Sequence, residues 1–489
     1  MNSIEVKHAA KKSVKWSLLG EVFAKIATPL STMFLARLLT PEIYGIATAV
    51  TLVVTFCETV TESGFAKFVI QRDFENEEEY KKYFSVSFFI SIFLSLLMVV
   101  AVFFLRVPLS SAVGNAGYEM VLAVSCLQIP FAAINALYSA DLRRRFHFKM
   151  LFLIRLVYCA VPFIITIPLA FLGFGYWSLV IGTIAAQIIE LPFFLIVCRG
   201  RLKFFLSWKV CVTTFRLSFP MILESIIIWF CTWTGTIIAA NFFDAEIVGI
   251  VKVSSSTVNS IFALFATSFT AVLFPALSRL KHDKDAYQDT FYSIQGAALS
   301  VLVPLGIGIY FYSNLVTDIF LGDKWTKAAF VISIYSLTRP LMICFNNFVS
   351  EVFRSKGHFY SSILYQLVML AGDITLKLTV GRISYDWFIW TTVFSNLFTT
   401  LLAISILKFR YHFSIIKQWK SFAPSLLCSV FMIPFVLFGV QTNYSIVKSL
   451  AQVLLCATIY FACLKFFFPN NFKNILSYFY KGKERKNRS

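Results

Sequence analysis

Charge is what this 489-residue chain has least of: Asp, Glu, Lys and Arg together make up 14% of it, where a soluble protein carries about 25%. With 58% hydrophobic residues and a mean hydropathy of +0.75, no soluble core could hide the apolar surface, so lipid is the solvent for most of the chain. Glycine and proline are too sparse for a low-complexity protein, and no long polar stretch suggests a disordered region. The five histidines, His8, His147, His282, His358 and His412, are scattered through polar connections, which argues against a metal centre. The ten cysteines include Cys57, Cys126, Cys159, Cys231 and Cys344, lie almost wholly in apolar segments and form no CxxC pair. They read as small apolar residues, with neither a disulfide nor a metal site implied. A cleavable secretory signal is not expected either, because the first fifteen residues are polar and basic and lead straight into a long segment.

A hydrocarbon layer ~30 Å thick takes about twenty apolar residues per helical span. Such runs occur at Val14–Leu38, Ile43–Glu62, Phe84–Leu105, Tyr118–Ala140, Met150–Leu172, Tyr176–Cys198 and Leu217–Phe243. They continue at Ile247–Leu277, Phe291–Tyr312, Ala328–Phe353, Phe359–Val380, Trp387–Leu407, Phe422–Val440 and Ile446–Phe468. The expectation is an all-α integral membrane protein of about fourteen transmembrane helices. With the N-terminus cytoplasmic, most of the 44 Lys and Arg fall on one side, as cytoplasmic connections require; both termini are then cytoplasmic. The net charge of +19 is read as topology and not as nucleic-acid binding. The basic tail Lys481–Arg488 suits anionic membrane lipids, at about 1 kcal/mol per basic residue near the headgroups. The connections are short, the longest being the charged segment Ser63–Tyr83, too short for a catalytic domain, so neither an enzyme nor a cofactor is expected.

The chain repeats itself. Glu42-Ile43-Tyr44-Gly45-Ile46 after the first span matches Glu246-Ile247-Val248-Gly249-Ile250 after the seventh. Arg143-Arg144-Arg145-Phe146-His147-Phe148 before the fifth matches Arg354-Ser355-Lys356-Gly357-His358-Phe359 before the eleventh. Both matches are in register with a six-helix unit. Six is even, so the copies share an orientation and are related by a pseudo-two-fold axis along the membrane normal, with a substrate pathway between bundles. The expected domains are 1–206 (helices 1–6), 207–409 (helices 7–12) and 410–489 (helices 13 and 14 with the basic tail).

Particular stretches resemble the Wzx-type polysaccharide flippases of the wider exporter superfamily that also holds multidrug antiporters. They are Lys12-Ser13-Val14-Lys15-Trp16-Ser17, Leu35 to Gly45, Glu62 to Arg72, Leu142 to Lys149, and Gly173-Phe174-Gly175-Tyr176-Trp177-Ser178-Leu179-Val180. The resemblance is clearest over roughly the first 280 residues. It implies a two-lobed fold around an alternately opening cavity, and export of a polyprenyl-diphosphate-linked oligosaccharide across the bacterial cytoplasmic membrane. A drug or metabolite antiporter is the alternative within transport; a membrane-embedded polymerase or glycosyltransferase is the alternative from another class.

A charge at the centre of a lipid-facing helix costs at least ~2.5 kcal/mol, so charges inside spans point to a cavity or a partner. The cations are Lys25, Arg155, Arg339 and Lys377, candidates for binding the substrate's diphosphate. Glu21 with Lys25, and Asp373 with Lys377, are four residues apart and could instead be internal ion pairs. Arg155 sits near the cytoplasmic end of its span, where snorkelling competes with cavity lining. Arg339 is mid-span with no carboxylate close by in sequence. Of the acids Glu21, Glu58, Glu190, Glu224 and Asp373, the candidates for coupling to H+ or Na+ are Glu224, Asp373 and Glu21. The eighth span carries a polar run from Ser254 to Thr270, suited to a wet cavity or to helix contacts.

Overall fold

A computed structural model describes residues 3–203, 205, 207–434, 446–469 and 471–473. The basic tail and part of the expected thirteenth span lie outside the described residues. Regular structure within them is helical: α1 Ser3–Leu38, α2 Pro41–Gln71, α3 Glu77–Ala112, α4 Glu119–Arg144, α5 Phe148–Phe171, α6 Tyr176–Val197 and α7 Trp208–Phe242. These are followed by α8 Ala245–Arg279, α9 Lys284–Phe311, a short helix Ser313–Phe320, α10 Ala328–Lys356, α11 Phe359–Thr379, α12 Tyr385–Tyr411, α13 Ile415–Val430 and α14 Ile446–Phe467. Among the described residues, eleven helices are long and apolar enough to cross a membrane: α2 to α10, α12 and α14. The other three fall where spans are expected. α1 and α11 are diluted by charges such as Glu21, Lys25, Asp373 and Lys377, and α13 has only 16 residues.

Helix ends follow local chemistry. Thr40 caps α2 through a hydrogen bond from Ile43 N at 3.4 Å, with Pro41 at the first helical position. Asn76 caps α3 by accepting from Glu79 N at 2.8 Å, and Asp283 caps α9 by accepting from Ala286 N at 3.0 Å. Among the described residues the regular ladder inside the helices is broken at four places: π-helical turns at Thr59–Ser63, Pro162–Thr166 and Met342–Asn347, and a 3₁₀ turn at Cys126–Gln128. Three of these sit beside a proline (Pro130, Pro162, Pro340), whose missing N–H disrupts the i to i−4 pattern.

One expectation about the connections is corrected. The second helix does not end at Glu62: it runs through the π turn to Gln71, and α3 begins at Glu77, so the long charged connection shrinks to Arg72–Asn76. Packing explains it, for Phe65, Phe68 and Val69 are fully buried with Phe84, Leu137, Tyr138 and Ile154. Hydropathy stops early because Glu62 and Lys67 interrupt the apolar run.

The chain packs as two compact units, Met1–Lys252 and Val253–Ser489, a boundary later than the one implied by the repeat. α7 is the difference. Its Trp229 and Trp233 lie in one core cluster with Val50, Val53 and Val54 of α2, and its Ile222 in another with Phe65 and Phe84. The first turns of α2 and α8 also meet, through the two glycines of the repeated motif. A Cβ on Gly45 would collide with the Ala245 carbonyl, and one on Gly249 with the Pro41 carbonyl. Small residues allow this backbone approach.

The second unit is built around α9, with Phe291 against Phe413 (ring centroids 4.9 Å) and Phe348. Asn346, in the π turn of α10, donates to Thr399 of α12 at 2.8 Å and accepts from the Tyr365 hydroxyl of α11 at 2.9 Å. Each unit ties its helices with the same device: Tyr80 at the start of α3 donates to Asp141 near the end of α4 (2.6 Å), and Tyr287 at the start of α9 meets Ser355 at the end of α10 (2.7 Å).

Candidate functional site

In the first unit, α1, α2, α4, α5 and α6 surround a cavity of about 530 Å³. It lies at the end of the bundle where α1 and α5 begin and α4 and α6 end. Glu21 and Trp16 come from α1, Glu62 from the π turn of α2, Asn135 and Arg143 from α4, Arg155 and Tyr158 from α5, and Gln187 and Glu190 from α6. Glu21 and Arg143 are exposed, whereas Asn135 is buried.

Arg155 donates to Glu21 at 2.8 Å, an ion pair about half exposed to solvent. Lys25 is close enough to both to interact electrostatically. Glu21 thus pairs across the helices with Arg155 of α5, while Lys25, four residues on, also acts on it. On the opposite wall Asn135 Nδ2 donates to the backbone carbonyl and to Oε1 of Gln187, both at 2.9 Å, leaving the buried Asn135 Oδ1 without a partner. A carbonyl can only accept, so the orientation of the amide is fixed. Trp16 and Phe152 stack obliquely with centroids 5.4 Å apart.

The arginine triplet at the end of α4 splits into three tasks. Arg143 lines the cavity. Arg144 donates to the carbonyls of Val69, Ile70 and Arg72 at 3.1, 3.2 and 2.6 Å, satisfying the C-terminus of α2. Arg145 pairs with the fully buried Asp141, which also receives the Tyr80 hydroxyl.

The remaining candidates lie elsewhere. Glu224 on α7 accepts from Lys67 of α2 at 3.1 Å, and the same ammonium donates to Ser225 at 2.9 Å. In the second unit Lys377 bonds Asp373 on its own helix at 2.6 and 2.5 Å, the i,i+4 pair that spacing allows. Arg339 lies immediately before Pro340 and the π turn; its Nη1 contacts Met342 Sδ at 2.8 Å, its Nε is buried without a partner, and no described carboxylate pairs with it. The hydroxyls of Thr257, Thr267 and Thr270 on α8 return to carbonyls of their own helix. Of the cavity residues, Glu62, Asn135, Arg143 and Gln187 escape a reading by hydropathy: Arg143 counts there as part of a cytoplasmic connection and Glu62 as a span end. The signal that marks Asn135 and Gln187 is an amide placed inside an apolar run, where it needs a partner.

The chain is similar to known transport proteins over most of its length. It is 21% identical over 374 residues to the succinoglycan biosynthesis transport protein ExoT of Rhizobium meliloti (strain 1021), covering 76% of this chain and 74% of that protein. It is also 21% identical over 385 residues to the lipopolysaccharide biosynthesis protein WzxC of Escherichia coli (strain K12), covering 75% and 72%. Among solved structures, the lipid II flippase MurJ in an inward closed conformation matches with a TM-score of 0.76 at 17% identity, covering 93% of this chain and 99% of that one. An inward-facing multidrug resistance MATE transporter matches with a TM-score of 0.59 at 13% identity, covering 79% and 94%. The fold is thus that of these multi-helix membrane transporters. A sequence profile described as polysaccharide biosynthesis protein matches residues 34–331, a stretch that holds most of the cavity lining, and the chain belongs to that family.

Proposed function

We propose that this protein is a flippase that moves a polyprenyl-diphosphate-linked oligosaccharide across the bacterial cytoplasmic membrane by alternating access, with α1, α11 and α13 completing fourteen spans in two six-helix lobes, two further helices, and both termini cytoplasmic. One observation carries the reading: a cavity of about 530 Å³ inside membrane-crossing helices, lined by charged and amide side chains. Such groups persist at membrane depth only where they meet water, one another or a polar ligand. In volume the cavity falls within the range of ligand sites, about 300–1,000 Å³.

Of the cations proposed for the diphosphate, Arg339 has the strongest support, because no described carboxylate neutralises it. Lys377 is engaged with Asp373, Arg155 with Glu21, and Lys25 sits beside that second pair. For coupling, Glu21, Glu224 and Asp373 each carry a basic partner, so binding H+ or Na+ at any of them entails releasing an ion pair. That release would link the ion to a helix movement: α1 from α5 for Glu21, and α2 from α7 for Glu224.

A reading as an antiporter for small cationic compounds draws on the three carboxylates against two guanidiniums in the cavity. Proteoliposomes separate the two. A fluorescent short-chain polyprenyl-diphosphate sugar should cross to the far leaflet faster with the protein than without it, while ethidium efflux along an imposed H+ or Na+ gradient should not exceed the empty-liposome rate. The reverse pattern establishes the antiporter.

A further inference from the structure

The charges of the cavity say which part of such a substrate enters it. Its lining has three carboxylates, Glu21, Glu62 and Glu190, and two guanidiniums, Arg143 and Arg155. Arg155 pairs with Glu21 at 2.8 Å and also acts on Glu190, so among the described residues Arg143 is the lining cation outside an ion pair. With Lys25, which acts electrostatically on both members of that pair, the formal charges sum to zero. A diphosphate dianion leaving water requires an excess of positive charge, and the deeper wall has none.

That wall offers acceptors. Asn135 Oδ1 is buried and unpartnered while its amide nitrogen is locked onto Gln187. The carboxyl groups of Glu62 and Glu190 form no ion pair among the described residues, and each keeps an oxygen able to accept a hydrogen bond. Unsatisfied acceptors of this kind call for a ligand rich in O–H donors and without negative charge of its own. The rings of Trp16 and Phe152 at 5.4 Å add an aromatic surface on which an amphipathic ring can rest.

We propose that this cavity is a saccharide subsite that takes uncharged, hydroxyl-bearing sugar of the lipid-linked substrate, its diphosphate remaining outside the carboxylate wall. The inference rests on the flippase reading and adds a selectivity to it: neutral sugars are admitted and uronic acids are disfavoured, because a sugar carboxylate would face Glu62 and Glu190. A site that hydrogen-bonds a hydroxyl discriminates strongly against a ligand lacking it, since its own polar groups are then left unpaired.

The test is equilibrium binding to the purified full-length protein in detergent, read by native mass spectrometry, with three probes: undecaprenyl diphosphate without sugar, the same lipid carrying glucose, and the same lipid carrying glucuronic acid. Wild type should bind the glucosyl lipid about tenfold more tightly than the sugarless lipid, and the glucuronosyl lipid more weakly than the glucosyl one. Asn135→Ala and Glu190→Gln should each remove most of the preference for glucose while leaving the affinity for the sugarless lipid unchanged, which also shows that the variants are folded. Equal loss for sugarless and glucosyl lipids would place the diphosphate in the cavity and overturn the proposal, as would glucuronosyl lipid bound as tightly as glucosyl lipid. A wild-type protein that binds none of the three removes the flippase reading itself, and this inference with it.

Discussion

Adjacent arginines with identical charge do different work here, and single substitutions should reveal it. Arg145 neutralises a fully buried carboxylate, and breaking a buried pair from one side costs about 3–5 kcal/mol. Arg145→Ala should therefore lower the thermal unfolding midpoint in detergent markedly, and Arg144→Ala, which frees three carbonyls, should lower it by a smaller amount. Arg143→Ala should leave that midpoint within error and reduce lipid transport instead. A destabilised Arg143 variant would make the triplet purely structural. Arg339 allows a second test at this scale: Arg339→Lys keeps the charge and loses the fork geometry that matches phosphate, and Arg339→Gln loses both. Transport should fall in the order Arg, Lys, Gln at constant amounts of folded protein; wild-type rates in the Gln variant would refute a role for Arg339 in binding the diphosphate. The sequence made the intramembrane charges legible one at a time, because each interrupts an apolar run. It did not reveal the partners, since Glu21–Arg155 and Lys67–Glu224 join residues 134 and 157 positions apart, and local spacing favours the nearer Lys25.

The helices themselves were largely legible, because twenty-residue apolar runs leave few alternatives. Their internal breaks were not. A π turn inserts one residue and shifts the register of everything beyond it, yet leaves hydropathy unchanged, so nothing in the composition of Thr59–Ser63 announces it. In the folded protein that turn carries Glu62 into the cavity wall and lets α2 continue to Gln71. Deleting Val60 should remove the inserted residue and return the segment to regular α-helix, displacing Glu62, which lies inside the turn, from the cavity wall. The expected outcome is a protein that inserts and keeps its helix content by circular dichroism but moves no lipid. Full transport by the deletion variant would mean that the turn contributes nothing to the site.

At the scale of the whole molecule, two short sequence matches carry the expectation of a six-helix repeat, and each unit has a tyrosine tie and an N-cap at corresponding places. The first compact unit extends to Lys252, past α7, because Trp229, Trp233 and Ile222 of α7 pack into its core clusters. The first turns of α2 and α8 are part of that packing. Gly249→Val should disturb it, since overpacking against backbone costs about 1–3 kcal/mol. If alternating access separates these turns, the variant should favour the separated state, and a cysteine introduced near them at Tyr44 should label faster with a water-soluble maleimide than in the Gly249 parent. Unchanged labelling would show that the contact persists throughout the cycle.

The contact between Gly45 and Gly249 also constrains how the gene can change. Each glycine faces a carbonyl of the other motif, Ala245 for Gly45 and Pro41 for Gly249, and a carbonyl is present whichever residue is encoded there. No codon change at the facing position can make room for a methyl group. Second-site suppressors selected from a Gly45→Ala strain should thus fall outside Ala245, in insertions or deletions at the turns Leu39–Thr40 or Phe243–Asp244 that let one helix slide, and a screen returning Ala245→Gly would refute the geometry.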